Sequence, residues 1–203
     1  MEDTARGEAG RTDRGREARS RLIEAAITQL ADGGMRALTH RKVEQRAGLA
    51  QGSAKYYFGT RAALVDAVLA HLVDVELPLV LEVDPDERDE ATDSRDLLDR
   101  AQQVVDAALR DPDRVRARFH LYLHAAGDPD LQARVRVARD AFVTRIAASL
   151  PGAQSEAGAR FVSATIDGLL FGQVCAPDPT VSAYAARYVL AAGAAGASLA
   201  AGE

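Results

Sequence analysis

Cysteine is almost missing from this chain of 203 residues, where Cys175 stands alone. One thiol excludes an intrachain disulfide framework and a thiolate metal cluster, and a reducing compartment, the cytoplasm, is the simplest home. Tryptophan is absent and Phe and Tyr number five each, so few rings are on hand for an aromatic ligand cage. No apolar core opens the chain, and no secretory signal is read there. The longest charge-free run, residues 188–202, is rich in Ala and Gly. It is too short and too weakly apolar to span a bilayer, and no membrane partner is expected. Nucleophile elbow, P-loop, dinucleotide fingerprint and zinc-protease motif are also lacking, which argues against an enzyme and against a cofactor.

What is present is a globular composition, 47% hydrophobic and 27% charged, long enough to bury a real core. The net charge of −5 conceals an asymmetry: residues 1–70 carry +3 and residues 71–203 carry −8. Within 33–61, six basic residues (Arg36, Arg41, Lys42, Arg46, Lys55, Arg61) face one acid, Glu44. A basic segment on an acidic body points to one polyanion-facing end.

Proline divides the chain at nearly the same place. Residues 1–77 have none, and all seven lie between 78 and 179. Asp111-Pro112, Asp128-Pro129 and Asp178-Pro179 read as helix starts, because Asp accepts the orphan amides of a first turn and Pro at the next position needs no donor. Between them the apolar spacing is helical and no β-branched alternation appears, so the fold is expected to be all-α. Helices are expected at about 16–31 (with Ile23, Ala26, Ile27 and Leu30 on one stripe), from Thr39 to Gly48, 51–57, 61–81, 95–110, 113–126, 129–149, 155–175 and 179–200. The acidic stretch 82–99 reads as a solvated connection.

The segment Leu38-Thr-His-Arg-Lys-Val-Glu-Gln-Arg-Ala-Gly-Leu-Ala-Gln-Gly-Ser-Ala-Lys-Tyr-Tyr-Phe58 fits a helix-turn-helix. Gly48 takes the left-handed turn, and Val43, Ala47, Leu49 and Ala54 pack the two helices together. The second helix then offers Gln51, Gly52, Ser53, Lys55 and Tyr56 outward, with groups that hydrogen-bond base edges in a major groove or phosphates beside it. Tyr57 adds a second hydroxyl. Thr39, His40 and Arg41 occupy a first turn that favours phosphate, and Arg61 at the start of the next helix can clamp the backbone. The candidate partner is double-stranded DNA.

This stretch resembles the TetR family of bacterial transcriptional regulators. The likeness runs from about Arg19 to Leu72: a first helix ending in Gly-Gly, then Ala37-Leu38-Thr39, Ala47-Gly48-Leu49, Gly52-Ser53, Tyr56-Tyr57-Phe58 and Thr60-Arg61-Ala-Ala-Leu64. It implies an N-terminal three-helix helix-turn-helix DNA-binding domain on a larger helical ligand-binding and dimerisation domain. The expected division is a disordered leader at 1–15, the reading head at 16–60 and the effector-binding body at 61–203. The leader's Arg6, Arg11, Arg14 and Arg16 read either as a solvated tail or as a minor-groove arm.

Three positions depart from the family pattern. A small residue is usual where Glu44 stands, Ser is frequent at Ala50 and an aromatic at Lys55. Glu44 is expected to tilt outward and pair with a nearby Arg; repulsion of phosphate is the other reading. Ala50 gives up a good N-cap, worth about 1 kcal/mol.

The family resemblance also implies a homodimer through the last two helices, a pseudo-palindromic operator, and a small-molecule effector whose binding swings the helix that starts near Thr60 and releases DNA. Residues 160–173 and 181–199 are apolar on more than one face, as helices buried on two sides are. Effector residues are sought in Arg118-Phe-His-Leu-Tyr-Leu-His-Ala125: Phe119, His120, Tyr122, Leu123 and His124, joined by Phe142, Asp167 and Phe171. His120 and His124 have metal-ligand spacing but no third ligand in view, so they read as polar lining or a structural pair, and no metal is expected. The expected effector is small and largely apolar, held by one or two polar anchors. A rival reading is a helical partner-binding module without DNA binding, for which Glu44, Ala50 and Lys55 argue.

Overall fold

The computed structural model describes residues 2–76, 99, 102–103, 106–107, 109–149 and 155–201. The helices are α1 (Glu2–Ala37), α2 (His40–Ala47), α3 (Ser53–Phe58), α4 (Arg61–Glu76), α5 (Pro112–Ala125), α6 (Pro129–Ser149), α7 (Glu156–Cys175) and α8 (Val181–Ala201). Among the described residues there is no strand, and no helix is long and apolar enough to cross a membrane. The expected acidic connection lies outside the described residues except Asp99. The expected helix at 95–110 is described only at 99, 102–103, 106–107 and 109–110, all helical.

Local chemistry explains most boundaries. Thr39 caps α2, its hydroxyl accepting from the Lys42 amide at 3.3 Å, and Gly48 ends the helix in the left-handed region (φ 63, ψ 35). Asp111 caps α5 through the Arg114 amide, with Pro112 as the first helical residue. Asp128 does the same for α6 through the Leu131 amide, and Ser155 for α7 through the Gly158 amide. Asp178-Pro179 departs from this pattern. The Asp178 carboxylate turns onto the amide and hydroxyl of Thr180, at 2.8 and 2.6 Å, and α8 starts only at Val181. Those two bonds from Thr180 hold the Asp178 carboxyl below its ordinary value.

The first helix differs from expectation at its N-terminal end. It begins at Glu2, so the segment expected as a disordered leader has helical backbone. Ala, Arg and Glu, which recur in this segment, are good helix formers. Arg16 adds an ion pair to Asp13 one turn back. The break falls at Gly34 (φ 60, ψ −161), a conformation open essentially to glycine alone.

Two clusters form the core. The first gathers Leu22, Ile27 and Leu30 of α1 with Leu38, Val43, Phe58, Leu64 and Val68, and continues into Leu121 and Ala125 of α5 and Leu131 and Val135 of α6. The second joins Val143, Ile146, Val162, Ile166 and Leu170 to Val181, Ala185 and Val189. The apolar interior therefore runs through residue 60 without a break. α7 and α8 cross closely, because Gly196 rests on Gly158: a Cβ at Gly196 would stand 2.7 Å from the Gly158 Cα.

Candidate DNA interface and effector site

The reading head is α2, a turn and α3, with α1 and α4 packed behind. Lys55 and Tyr56 project from α3, and Tyr56 is 82% exposed. Gln51 and Gly52 were expected on this helix but lie in the turn before it. Gly52 is the helix cap with φ 94, and it has no side chain to serve as one. Both remain exposed, while Ser53 is half-buried. Tyr57 is half-buried too, edge-on to Tyr56 with ring centroids 5.0 Å apart and packed on the first core. Thr39, Arg41 and Lys42 are exposed at the start of α2. His40 is half-buried, and its Nε2 is enclosed without a hydrogen-bond partner among the described residues.

Arg61 is exposed at the start of α4, where its Nε donates to the Leu38 carbonyl at 2.9 Å and its guanidinium also donates to the Met35 carbonyl. It ties α4 to the connection between α1 and α2, where carbonyls at the end of α1 lack helical partners. One expectation is corrected here: Glu44 does not tilt outward. It is 4% exposed, and its Oε1 accepts from the amides of Gly52 (3.1 Å) and Ala54 (2.9 Å) at the start of α3. The cap that Ala50 fails to provide thus comes from α2. The motif's basic charge is also partly paired, since Arg46 binds Asp32 at 2.7 Å. Arg21 donates to the Ala47 carbonyl at the end of α2.

In the body, Tyr122, Phe142 and Asp167 lie together with Leu69, Leu72, Val73, Arg118 and Ala138 around a cavity of about 20 Å³. That volume suits about one water molecule. Arg139 donates to Asp167 Oδ2 at 2.5 Å, and Arg118, 4% exposed, has its Nε 3.9 Å from Asp167 Oδ1. Burial acts to lower the Arg139 guanidinium, but the charge and hydrogen bond of Asp167 outweigh it and hold it above its ordinary value. Arg139 also lies over the Tyr122 ring, 5.2 Å from its centroid. Phe119 stacks edge-on against Phe171 at 5.0 Å beside this group.

His120, Leu123 and His124 do not join the cavity. All three are exposed, Leu123 at 68%. At about 100° per residue, the face that presents Arg118 and Tyr122 inward turns these three away. His120 instead lies against Gly34. Among the described residues no group of three His, Cys, Asp or Glu is arranged to hold a metal ion. Arg118 and Arg139 were not anticipated. An arginine at position 118, between the buried Val115 and Leu121, was the one signal that could have marked it.

The outer side of α7 and α8 is apolar, with Tyr188, 56% exposed, beside Tyr184 at a shallow hollow lined by Gly168, Leu169 and Ala192.

A helix-turn-helix with exposed basic and hydroxyl groups, mounted on a helical body, defines a DNA-binding regulator. The family described as "Bacterial regulatory proteins, tetR family" matches residues 22–68, and that described as "Tetracyclin repressor-like, C-terminal domain" matches residues 92–195. A member of the TetR family from Streptomyces coelicolor A3 superposes with a TM-score of 0.66 at 25% identity, over 87% of this chain and 98% of that one. A transcriptional regulator from Rhodococcus sp. Rha1 superposes with 0.62 at 24% identity, over 89% and 94%. The multidrug binding protein EbrR, complexed with proflavin, gives 0.57 at 24% identity, over 86% and 99%. No curated protein sequence matches the chain. The chain belongs to the TetR family and is a DNA-binding transcriptional regulator.

Proposed function

We propose that the chain is a ligand-responsive repressor, with a reading head at 16–60 and an effector-binding and dimerisation body at 61–203. It binds a pseudo-palindromic operator as a dimer and leaves it when a small, largely apolar effector enters between α4, α5, α6 and α7. The observation that carries this reading is the position of α4. Its Leu64 and Val68 are buried in the core of the head, while Leu69, Leu72 and Val73 wall the cavity. A cavity of about 20 Å³ admits an effector only by opening, and opening displaces α4 and with it the head. Such coupling is typically about 1–3 kcal/mol.

Arg118, Arg139 and Asp167 are the polar anchors, and Tyr122, Phe142, Phe119 and Phe171 supply the apolar lining. The apolar outer side of α7 and α8 supports a two-fold dimer, which sets two reading heads about one helical turn of DNA apart, or a multiple of it. The complex of EbrR with proflavin supports effector binding by a body of this shape. On DNA, Thr39, Arg41, Lys55, Tyr56 and Tyr57 contact the duplex together with Gln51, Gly52 and Ser53, and His40 backs the first turn of α2.

The test is selection of duplexes from a random pool, then mobility shift and sedimentation. A palindromic selected site, retention that falls steeply with salt, and a dimer on DNA are expected. Compounds that bind the body are then scored for release. Failure to retain any duplex leaves the partner-binding module as the better reading, and binding of compounds without release sinks the repressor mechanism.

A further inference from the structure

We infer that Glu44 is the positioning residue for DNA reading, setting the angle and register of α3 against α2. The chain lacks the usual devices at this junction. Ala50 has no side-chain acceptor, and the cap residue Gly52 has none either and sits at φ 94, where backbone freedom is greatest. α3 is six residues long, too short to hold its own orientation by internal bonds. The Ser53 amide bonds back to the Ala50 carbonyl at 3.1 Å, which closes the turn but leaves it unattached to α2.

Glu44 supplies the attachment to α2. Glu44 Oε1 accepts from the Gly52 amide and the Ala54 amide together, and the Glu44 carbonyl accepts from the Leu49 amide at 3.0 Å. One residue of α2 therefore holds both ends of the segment 49–54. Its side chain is buried, as are those of Val43, Ala47 and Ala54. Hydrogen bonds from amides to a charged acceptor are the stronger kind, and an amide buried without its acceptor is costly. Gly52 precedes α3 and Lys55 and Tyr56 follow Ala54 directly, so a shift of this bonded pair carries over into the groups that face DNA.

The experiment compares wild type with Glu44→Gln, Glu44→Asp and Glu44→Ala. Each is measured on a duplex selected by the wild-type protein and on a shuffled duplex of equal composition. Gln keeps a carbonyl oxygen at the same reach, so discrimination between the two duplexes is expected to stay within about threefold of wild type. Asp is one methylene short of the two amides and Ala has no acceptor, so discrimination is expected to fall by roughly tenfold or more, with binding to the shuffled duplex little changed. Circular dichroism and melting identify folded variants, and Asp carries the test where Ala fails to fold. A stability role alone lowers the melting temperature of Asp and Ala but leaves the ratio of affinities in the folded protein intact, and that result overturns the inference. So does loss of discrimination in Gln equal to that in Ala. Should the wild-type protein select no sequence, the reading of the protein as an operator-binding repressor fails, whatever the variants do.

Discussion

The ring of His120, on α5, lies against Gly34, the point where α1 breaks. A Cβ on Gly34 would stand 3.1 Å from His120 Nδ1. The contact joins the body to the connection that leads into the reading head. Gly34→Ala is expected to cost about 1–3 kcal/mol, because alanine is strained at φ 60, ψ −161. Thermal melting of Gly34→Ala and of the double variant with His120→Ala separates the two causes. Backbone strain predicts that the double variant recovers less than half of the loss; full recovery would assign the cost to crowding by the ring.

Arg61 offers a second test. Its bonds to the Met35 and Leu38 carbonyls predict that Arg61→Ala destabilises the fold by about 1 kcal/mol, since the group is exposed to solvent. Arg61→Lys should restore little, because an ammonium lacks the planar fork that serves two carbonyls. A lost phosphate contact would lower the salt slope of DNA binding by about 0.9. An unchanged slope is expected, and a drop of that size would return Arg61 to the role of clamp.

Asp167 lies between two guanidinium groups, Arg139 at 2.5 Å and Arg118 at 3.9 Å. Asp167→Asn keeps the shape and removes the charge that these arginines share. A loss of about 1–3 kcal/mol is expected in the denaturant midpoint, together with a changed concentration of effector needed for release. Unaltered stability would show that the arginines are balanced elsewhere.

Gly196 tests the other end of the body. Alanine there meets Gly158 backbone at 2.7 Å, and backbone cannot swing away as a flexible side chain does. Gly196→Ala is expected to push α8 off α7, lower stability by about 1–3 kcal/mol, and weaken the proposed dimer, with sedimentation as the measurement. A variant that dimerises as wild type does, with unaltered melting, would place the dimer contact away from this crossing.

Readability from sequence followed the range of the forces involved. Thr39, Gly48, Asp111 and Asp128 act on their own neighbours within a turn, so composition and spacing are sufficient to read them. Glu44 reaches eight and ten residues ahead, and Arg61 reaches back twenty-three and twenty-six. Nothing local in the sequence distinguishes those side chains from solvated ones. The facing of α5 was half legible. Tyr122, Phe142 and Asp167 border one cavity, whereas His120 and His124, singled out by their chemistry, are turned away from it by helical phase. Arg118 was missed for the opposite reason, since a charged residue in an apolar stripe reads as exposed until a half-buried carboxylate, Asp167, answers it.

The interior that runs from Leu22 through Leu64 to Leu121 and Val135 also bears on how such regulators can be recombined. A chimera spliced at residue 60 would cut through shared packing, and a foreign head would arrive without the α5 and α6 surface it was shaped against. Heads in this lineage would then be exchanged by drift of a few exposed residues, Lys55 and Tyr56 among them, with the scaffold inherited whole.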